Sequence, residues 1–140
     1  MPSSKQQPNP FHQRLIPFLL FNGNLQSVLS FYAAVLPDAK IESLVSMEKE
    51  PGSDEGRVLT GILSFLGQRI MFLDVGNECP PFSWSTSFYV ICNSDDEFDA
   101  ILTGLGQDGE VLLGPVPVFG FRKLAWITDK FGVTWQPVLE

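Results

Sequence analysis

The chain carries few side chains that act as general bases or nucleophiles. Its one histidine, His12, titrates near neutral pH and is a candidate general base, but it lies in the polar stretch 1–12. A catalytic group needs a rigid element to hold it, so we expect His12 to be solvated on a flexible N-terminal tail. Cys79 is a candidate nucleophile, yet no histidine is left to activate it. We expect Cys79 to be unreactive and Cys92 to belong to the core.

Carboxylates form the second group of candidates. Asp74 and Glu78 follow an apolar run and could act as a pair, but we expect them to be solvated at a strand end. The run Ser94-Asp95-Asp96-Glu97 is typical of a capping box at a helix start. Asp129 begins the turn 129–132, and we expect its side chain to cap that turn. A role in local structure therefore explains each of these acidic residues, and none of them requires a catalytic role.

The composition is typical of a folded soluble domain, with 140 residues, 44% of them hydrophobic and 18% charged. A net charge of −7 repels phosphate backbones, so we expect no nucleic-acid partner. No apolar run reaches the length of a membrane span, and the stretch 1–12 lacks the apolar segment of a secretion signal. Two cysteines make no disulfide framework, so we expect both to be reduced in the cytoplasm.

Any functional site must be positioned by the secondary-structure elements, and the first two that we predict are a strand and a helix. The apolar run 15–21 predicts a strand, and Pro17 places it at a sheet edge or a strand start. Asn24 is the predicted helix N-cap and Pro37 ends the helix. The predicted apolar stripe of this helix is Leu25, Val28, Leu29, Tyr32 and Leu36. Strands are predicted at 41–47, 57–65 and 69–74, the last two joined by a hairpin turn at 66–68.

The second half repeats this order. A strand is predicted at 87–92, followed by a helix with the apolar stripe Phe98, Ile101, Leu102 and Leu105. A short strand at 110–113, a Pro- and Gly-rich loop at 114–120, and a hairpin of strands 124–128 and 134–138 complete it. We therefore predict an α+β fold of two βαβββ modules, at about 13–75 and 85–139, within one domain that spans 13–140.

Four stretches carry a resemblance to a known family: IPFLLFNGN at 16–24, FY at 31–32 with LPDAKI at 36–41, FLD at 72–74, and TDKFGVTWQ at 128–136. In these stretches the chain resembles the vicinal oxygen chelate superfamily of glyoxalases, bleomycin-resistance proteins and extradiol dioxygenases. More narrowly, it is similar to the PhnB-like branch, labelled 3-demethylubiquinone-9 3-methyltransferase-like. The resemblance implies two curved, mixed sheets that form a cup around a cavity, and a homodimer.

In metal-using relatives four positions hold a divalent metal, and the matching positions here are Pro17, about Phe72, Ser87 and Gln136. A divalent site of that kind needs imidazole and carboxylate ligands. Proline and phenylalanine offer no ligand, serine is a poor one, and glutamine is a weak neutral donor. We therefore expect no metal site and no cofactor.

The cavity is the remaining candidate site. Side-chain alternation places Pro17, Leu19 and Phe21 on one face of their strand, and Ser87, Tyr89 and Ile91 on one face of the corresponding strand. The resemblance implies that such faces line the cup. The expected ligand-binding residues are Pro17, Leu19, Phe72, Ser87, Tyr89, Trp126 and Gln136. A ring-rich pocket with a few neutral polar groups suits a small aromatic or amphipathic ligand, although the same rings could instead fill the cup as core.

Two function classes stay open. The first is a metal-free protein that binds a small molecule. The second is an enzyme of the lyase, dioxygenase or transferase type with a metal or cofactor that the sequence does not reveal. The chain is too short, and its elements are in the wrong order, for the glycine-rich doubly wound sheet of most nucleoside-cofactor methyltransferases. A dimer with a solidly packed cavity and no ligand is a third interpretation. Whether the cup forms within one chain or between two also stays open.

Overall fold

The computed structural model describes residues 13–48, 57–76 and 79–140. The first half contains β1 (Phe18–Phe21), α1 (Leu25–Val35), β2 (Lys40–Glu48), β3 (Arg57–Phe65) and β4 (Gln68–Asp74). The second half contains β5 (Ser87–Cys92), α2 (Asp95–Leu105), β6 (Glu110–Val118), β7 (Phe121–Thr128) and β8 (Thr134–Leu139). The βαβββ order predicted for each half is confirmed. The predicted tail 1–12, with His12, and the candidate acid Glu78 lie outside the described residues.

The two halves form four-stranded sheets with the same arrangement. In the first, the strand order is β1-β4-β3-β2, and β1 pairs in parallel with β4 so that Leu19 lies opposite Phe72. In the second, the order is β5-β8-β7-β6, and β5 pairs in parallel with β8. The β3–β4 hairpin turns at Leu66 and Gly67, both at positive φ, as a two-residue hairpin turn requires. Two mixed sheets with one helix each confirm the α+β fold of two modules.

One helix packs on one face of each sheet, and the predicted apolar stripes are buried except at Leu102, which is half-buried. The fully buried helical side chains are Leu25, Val28, Leu29 and Tyr32 on α1 and Phe98, Ile101 and Leu105 on α2. The two helices also meet each other, where the Cα of Gly104 lies close against Val35. Tyr32 reaches across the halves to Trp135 of β8, with ring centroids 5.5 Å apart. The apolar core is therefore continuous between the modules.

Three strands differ from the predicted bounds by more than one residue, and one of them is β7, which begins at Phe121 rather than at residue 124. β1 begins at Phe18 rather than at residue 15, although the carbonyl of Pro17 still accepts a hydrogen bond from the Met71 amide at 2.9 Å. β6 continues to Val118 through the segment that we predicted to be a loop. It does so with several register shifts, and Gly114 adopts φ of +83° where a Cβ would collide with the Leu124 carbonyl. Irregular pairing of this kind lets a Pro- and Gly-rich segment stay in a sheet.

Two local side-chain predictions are confirmed. Ser94 Oγ accepts a hydrogen bond from the Glu97 amide at 3.1 Å, and Glu97 Oε1 accepts one from the Asn93 amide at 2.8 Å. This is the pattern of a capping box at the start of α2, with the glutamate bonded to the amide of Asn93, one residue before the N-cap Ser94. Asp129 caps its turn, since its Oδ1 accepts from the Phe131 amide at 2.9 Å.

The start of α1 is capped from another element, against expectation. The side chain of Asn24 makes no capping hydrogen bond. Instead the carboxylate of Asp74, at the end of β4, accepts from the amides of Gly23 at 2.7 Å, Gly76 at 3.0 Å and Leu25 at 3.2 Å. Asp74 is only 9% exposed, so the expected solvated strand end is wrong for this residue. A carboxylate close to the positive end of a helix also suits the helix dipole.

Candidate functional site

Strand β1 does not divide into a cavity face and a core face in the way we expected. Phe21 is buried in the core, and Leu19 packs against it. Phe72, the neighbour of Leu19 on β4, is 1% exposed and belongs to the same core, and it is not part of the lining of either cleft described below. Phe18 and Leu20 lie exposed on the other face. A four-residue strand that is apolar throughout shows no alternation, so its sequence could not tell which face is covered.

A cleft of about 520 Å³ opens where the two halves meet, and we term it the module cleft. It is lined by residues 17–20 around β1, 79–83 of the connecting segment, 86–88 at the start of β5, and 133–134 at the start of β8. Three of the expected ligand-binding residues, Pro17, Leu19 and Ser87, belong to this lining. None of these lining residues, all within the described part of the chain, carries a charge. Apart from its two prolines, nothing in the sequence of the segment 79–83 indicated that it would line a cleft.

A second cleft, of about 450 Å³, shares Pro17 and Phe88 with the first. We term it the hairpin cleft, because residues 65–66 and 68–70 of the β3–β4 hairpin line it. Tyr89 lies here, and Pro17 is the other expected ligand-binding residue in this lining. Gln13 joins the hairpin by two hydrogen bonds to the backbone of Arg69, at 2.7 and 3.0 Å. With Arg69 in its lining, this cleft differs in charge from the module cleft.

The face of the second sheet opposite α2 carries several neutral polar side chains, and we term it the open face. Strand register and side-chain alternation place on it Ser87, Tyr89, Thr134, Gln136, Trp126 and Thr128. Gln136 Nε2 donates to Ser87 Oγ at 2.7 Å. The hydroxyls of Thr128 and Thr134 lie 3.1 Å apart and share a hydrogen bond. Ser87 and Thr134 also line the module cleft, so the cleft opens onto this polar surface.

Trp126 lies beside Gln136 on the open face. The pairs Ile127 with Trp135 and Leu124 with Val138 fix the register that sets Trp126 opposite Gln136. Its indole makes an edge contact with Trp84, with centroids 5.8 Å apart and planes at 85°. The Nε1 of Trp126 is buried and has no hydrogen-bond partner within the described ranges 13–48, 57–76 and 79–140.

The positions that hold metal in metal-using relatives do not fit a divalent ion here. Pro17 has no donor, Phe72 is in the core, and the Ser87 hydroxyl and Gln136 amide are bonded to each other. A divalent site of the superfamily type needs anionic or imidazole ligands, and none of these four residues supplies one. In the part of the chain that the structure describes, no group of three or more His, Cys, Asp or Glu side chains is placed to bind a metal.

Both cysteines are free thiols in structural positions. Cys79 Sγ donates to Asn22 Oδ1 at 3.1 Å. The side chain of Asn22 also bonds the backbone of Cys79, since Asn22 Nδ2 donates to the Cys79 carbonyl and the Cys79 amide donates to Asn22 Oδ1, both at 3.0 Å. These bonds fix the connecting segment to the end of β1. Cys92 is in the core as predicted. Burial, with a smaller contribution from the charge of Glu97, raises the pKa of Cys92 to about 11. Its thiol is therefore neutral at physiological pH.

The family profile described as 3-demethylubiquinone-9 3-methyltransferase matches residues 13–138. The chain belongs to this family. Among solved structures, it is similar to the PhnB protein of Bacillus cereus, with 29% identity, 91% of this chain and 100% of that chain covered, and a TM-score of 0.77. A protein from Pseudomonas aeruginosa gives 24% identity, 91% and 98% coverage, and a TM-score of 0.77.

A glyoxalase family protein from Bacillus cereus has the same fold at 13% identity, with 96% of this chain and 98% of that chain covered and a TM-score of 0.68. The fold is thus that of the vicinal oxygen chelate superfamily, as the resemblance implied. No curated protein matches the chain significantly. Among the residues that the structure describes, no helix is both long and apolar enough to cross a membrane.

Proposed function

We propose that this family member binds a small, uncharged aromatic or amphipathic molecule in the module cleft, and does so without a divalent metal. The observation that carries the proposal is the uncharged lining of this cleft of about 520 Å³, which opens onto the hydroxyl and amide groups of Ser87 and Gln136. An apolar pocket with a few convergent polar groups is the usual form of a small-molecule site. The unsuitable donor set at the superfamily metal positions supports the metal-free part of the proposal.

The second candidate is an enzyme of the transferase type, and the description of the family favours it. It would use the same cleft and would need a metal or cofactor. Conversion of a bound compound by purified protein would favour the enzyme, whereas saturable binding without conversion favours the binding protein.

A homodimer in the cytoplasm is part of the proposal. Exposed apolar side chains on the second sheet, including Tyr89, Ile91 and Leu113, support an apolar contact between copies. The two free thiols are those that a reducing compartment maintains. Light scattering coupled to size-exclusion chromatography tests the assembly, and the mass of a single chain at micromolar concentration would contradict it.

Fluorescence titration with N-phenyl-1-naphthylamine, a neutral apolar probe, tests the binding site. We expect saturable enhancement at one probe per chain, and a loss of at least tenfold in affinity in Leu20→Asp, since a carboxylate in the apolar cleft must be desolvated. Leu112→Asp is the matched control, because Leu112 is 39% exposed on β6 and Leu20 is 38% exposed on β1. Equal affinity in the two variants would place the probe elsewhere and contradict the proposed site.

A further inference from the structure

Trp126 has an indole N–H that nothing in the described chain accepts. Its Nε1 is buried without a partner, whereas the Nε1 of Trp135, also buried, donates to Asp129 Oδ2 at 3.0 Å. Buried indole N–H groups are normally hydrogen-bonded, and an unpaired one carries the cost of losing water. The edge contact with Trp84 is not a substitute for an oxygen acceptor, and Trp84 itself is 65% exposed.

The position of this donor connects it with the module cleft. Trp126 lies on β7, opposite Gln136 on β8, and Gln136 bonds Ser87 on β5, which lines the cleft. Neighbouring strands are about 4.8 Å apart, so β7 and β5 are separated by about 10 Å. A molecule of two fused rings has about this length. Trp126 is not part of the cleft lining, so a ligand with one end in the module cleft must extend along the open face, past Gln136, for its other end to reach the Trp126 indole.

The surrounding charges indicate the kind of acceptor. Glu110, paired with Thr128 at the next row of the sheet, is the charged residue that faces this region from β6. The lining of the module cleft contributes no cation, and the whole chain carries a net charge of −7. Arg122, four residues before Trp126 on β7, already pairs with Asp95 at 3.5 Å. An anionic acceptor such as a carboxylate would thus be bound without a counter-charge of its own, which is costly in a desolvated site. A neutral carbonyl avoids that cost.

We infer that the ligand of the module cleft is a neutral aromatic carbonyl compound whose oxygen accepts a hydrogen bond from Trp126 Nε1. The inference rests on the proposed function and adds the chemical class of the ligand. It assigns Trp126 the role of recognising that oxygen, and it assigns the rings of the ligand to the uncharged cleft.

A matched pair of probes, 2-acetylnaphthalene and 2-ethylnaphthalene, tests the inference by equilibrium dialysis. The two differ in a carbonyl oxygen but are close in shape. Water solvates the carbonyl, so the two affinities are not compared directly. The informative quantity is the ratio of the acetyl-probe affinity to the ethyl-probe affinity, compared between the wild type and Trp126→Phe. We expect the acetyl compound to lose about fivefold relative to the ethyl compound, as for one neutral hydrogen bond. Trp84→Phe, which removes the neighbouring exposed indole, should leave the ratio unchanged.

Indole resonances give a second readout in the wild type, so the test survives if Trp126→Phe does not fold. In a ¹H–¹⁵N spectrum, 2-acetylnaphthalene should move the Trp126 indole proton downfield, while 2-ethylnaphthalene should not and the hydrogen-bonded Trp135 signal should stay in place. An unchanged ratio, or no selective shift, with both probes bound overturns the inference and leaves the proposed function standing. No binding of either probe overturns both.

Discussion

Tyr32 Oη donates a hydrogen bond of 2.6 Å to Asp129 Oδ2, and this bond joins the helix of the first module to the last turn of the second. Asp129 is 3% exposed and also accepts from the indole of Trp135 at 3.0 Å and from the Val133 amide at 3.1 Å. A buried carboxylate with several donors is stable only while those donors remain in place. The contact therefore fixes how the two halves, and the cleft between them, lie relative to each other.

Tyr32→Phe should destabilise the fold by about 1–3 kcal/mol, because it leaves one lone pair of the buried Asp129 carboxylate without its donor. Urea unfolding followed by circular dichroism measures the change. Tyr89→Phe is the control, since Tyr89 is exposed, and its cost should stay within about 0.5 kcal/mol. Equal costs for the two variants would show that the bond between the modules contributes nothing.

Alkaline pH should weaken the fold through Cys92. Burial raises the pKa of this thiol from 9.0 to about 11, so the folded chain holds the proton more tightly than the unfolded chain. The stabilisation is fully present below pH 9 and is lost as pH rises from 9 to 11. Between pH 8 and pH 10.5 the wild type should lose roughly 2 kcal/mol more than Cys92→Ala, by linkage at about 1.4 kcal/mol for each pKa unit. Urea titrations at pH 8 and pH 10.5 test this, and parallel losses in both proteins would contradict it.

The capping role of Asp74 can be separated from that of Asn24. Asp74→Ala should cost about 1–3 kcal/mol, since the amides of Gly23, Leu25 and Gly76 lose their acceptor. Asn24→Ala should cost less than about 0.5 kcal/mol, because its side chain makes no capping bond. Thermal unfolding of both variants measures the two losses of stability. A larger loss in Asn24→Ala than in Asp74→Ala would show that Asn24 caps the helix.

The parts of the fold that were predicted correctly are those determined by interactions between residues close together in the sequence. The helical stripes, the capping box at Ser94 and Glu97, and the hairpin turn at Leu66 and Gly67 depend on residues within one or two turns of each other. The duplication of this local pattern then predicted the two modules. β6 was missed beyond residue 113, because its irregular pairing is supported by β7 and not by its own sequence.

The candidate site could be predicted only in part, because it is formed by residues that are far apart in the sequence and come together in the fold. Pro17, Leu19 and Ser87 line the module cleft, but Phe72 is in the core, since the covered face of β4 depends on where α1 packs. Asp74 caps a helix that begins about fifty residues earlier, a contact that local patterns cannot reveal. The unpaired indole of Trp126 likewise depends on packing across strands.

Gly104→Ala tests the contact between the two helices. In an exposed helix this change would stabilise by up to about 1 kcal/mol through helix propensity. Here a Cβ would lie 2.6 Å from Val35 Cβ and 2.9 Å from the Val35 carbonyl oxygen, so the helices must separate. We expect a net loss of about 1–3 kcal/mol. Thr103→Ala, at an exposed position one residue earlier, should be neutral or slightly stabilising, and a stabilising Gly104→Ala would contradict the close packing.

Gln136→Ala tests the metal-free proposal at the position that, of the four superfamily metal positions, carries an amide oxygen as a weak neutral donor. Gln136 Nε2 is engaged with Ser87 Oγ at 2.7 Å, and an amide oxygen without anionic or imidazole neighbours binds divalent ions weakly. Protein dialysed against Zn²⁺, Mn²⁺ or Mg²⁺ and then desalted should retain well under one ion per chain by elemental analysis. The wild type and Gln136→Ala should give the same value. One ion per chain in the wild type, lost in Gln136→Ala, would overturn the metal-free proposal and favour the enzyme, while N-phenyl-1-naphthylamine binding would report separately on the cleft.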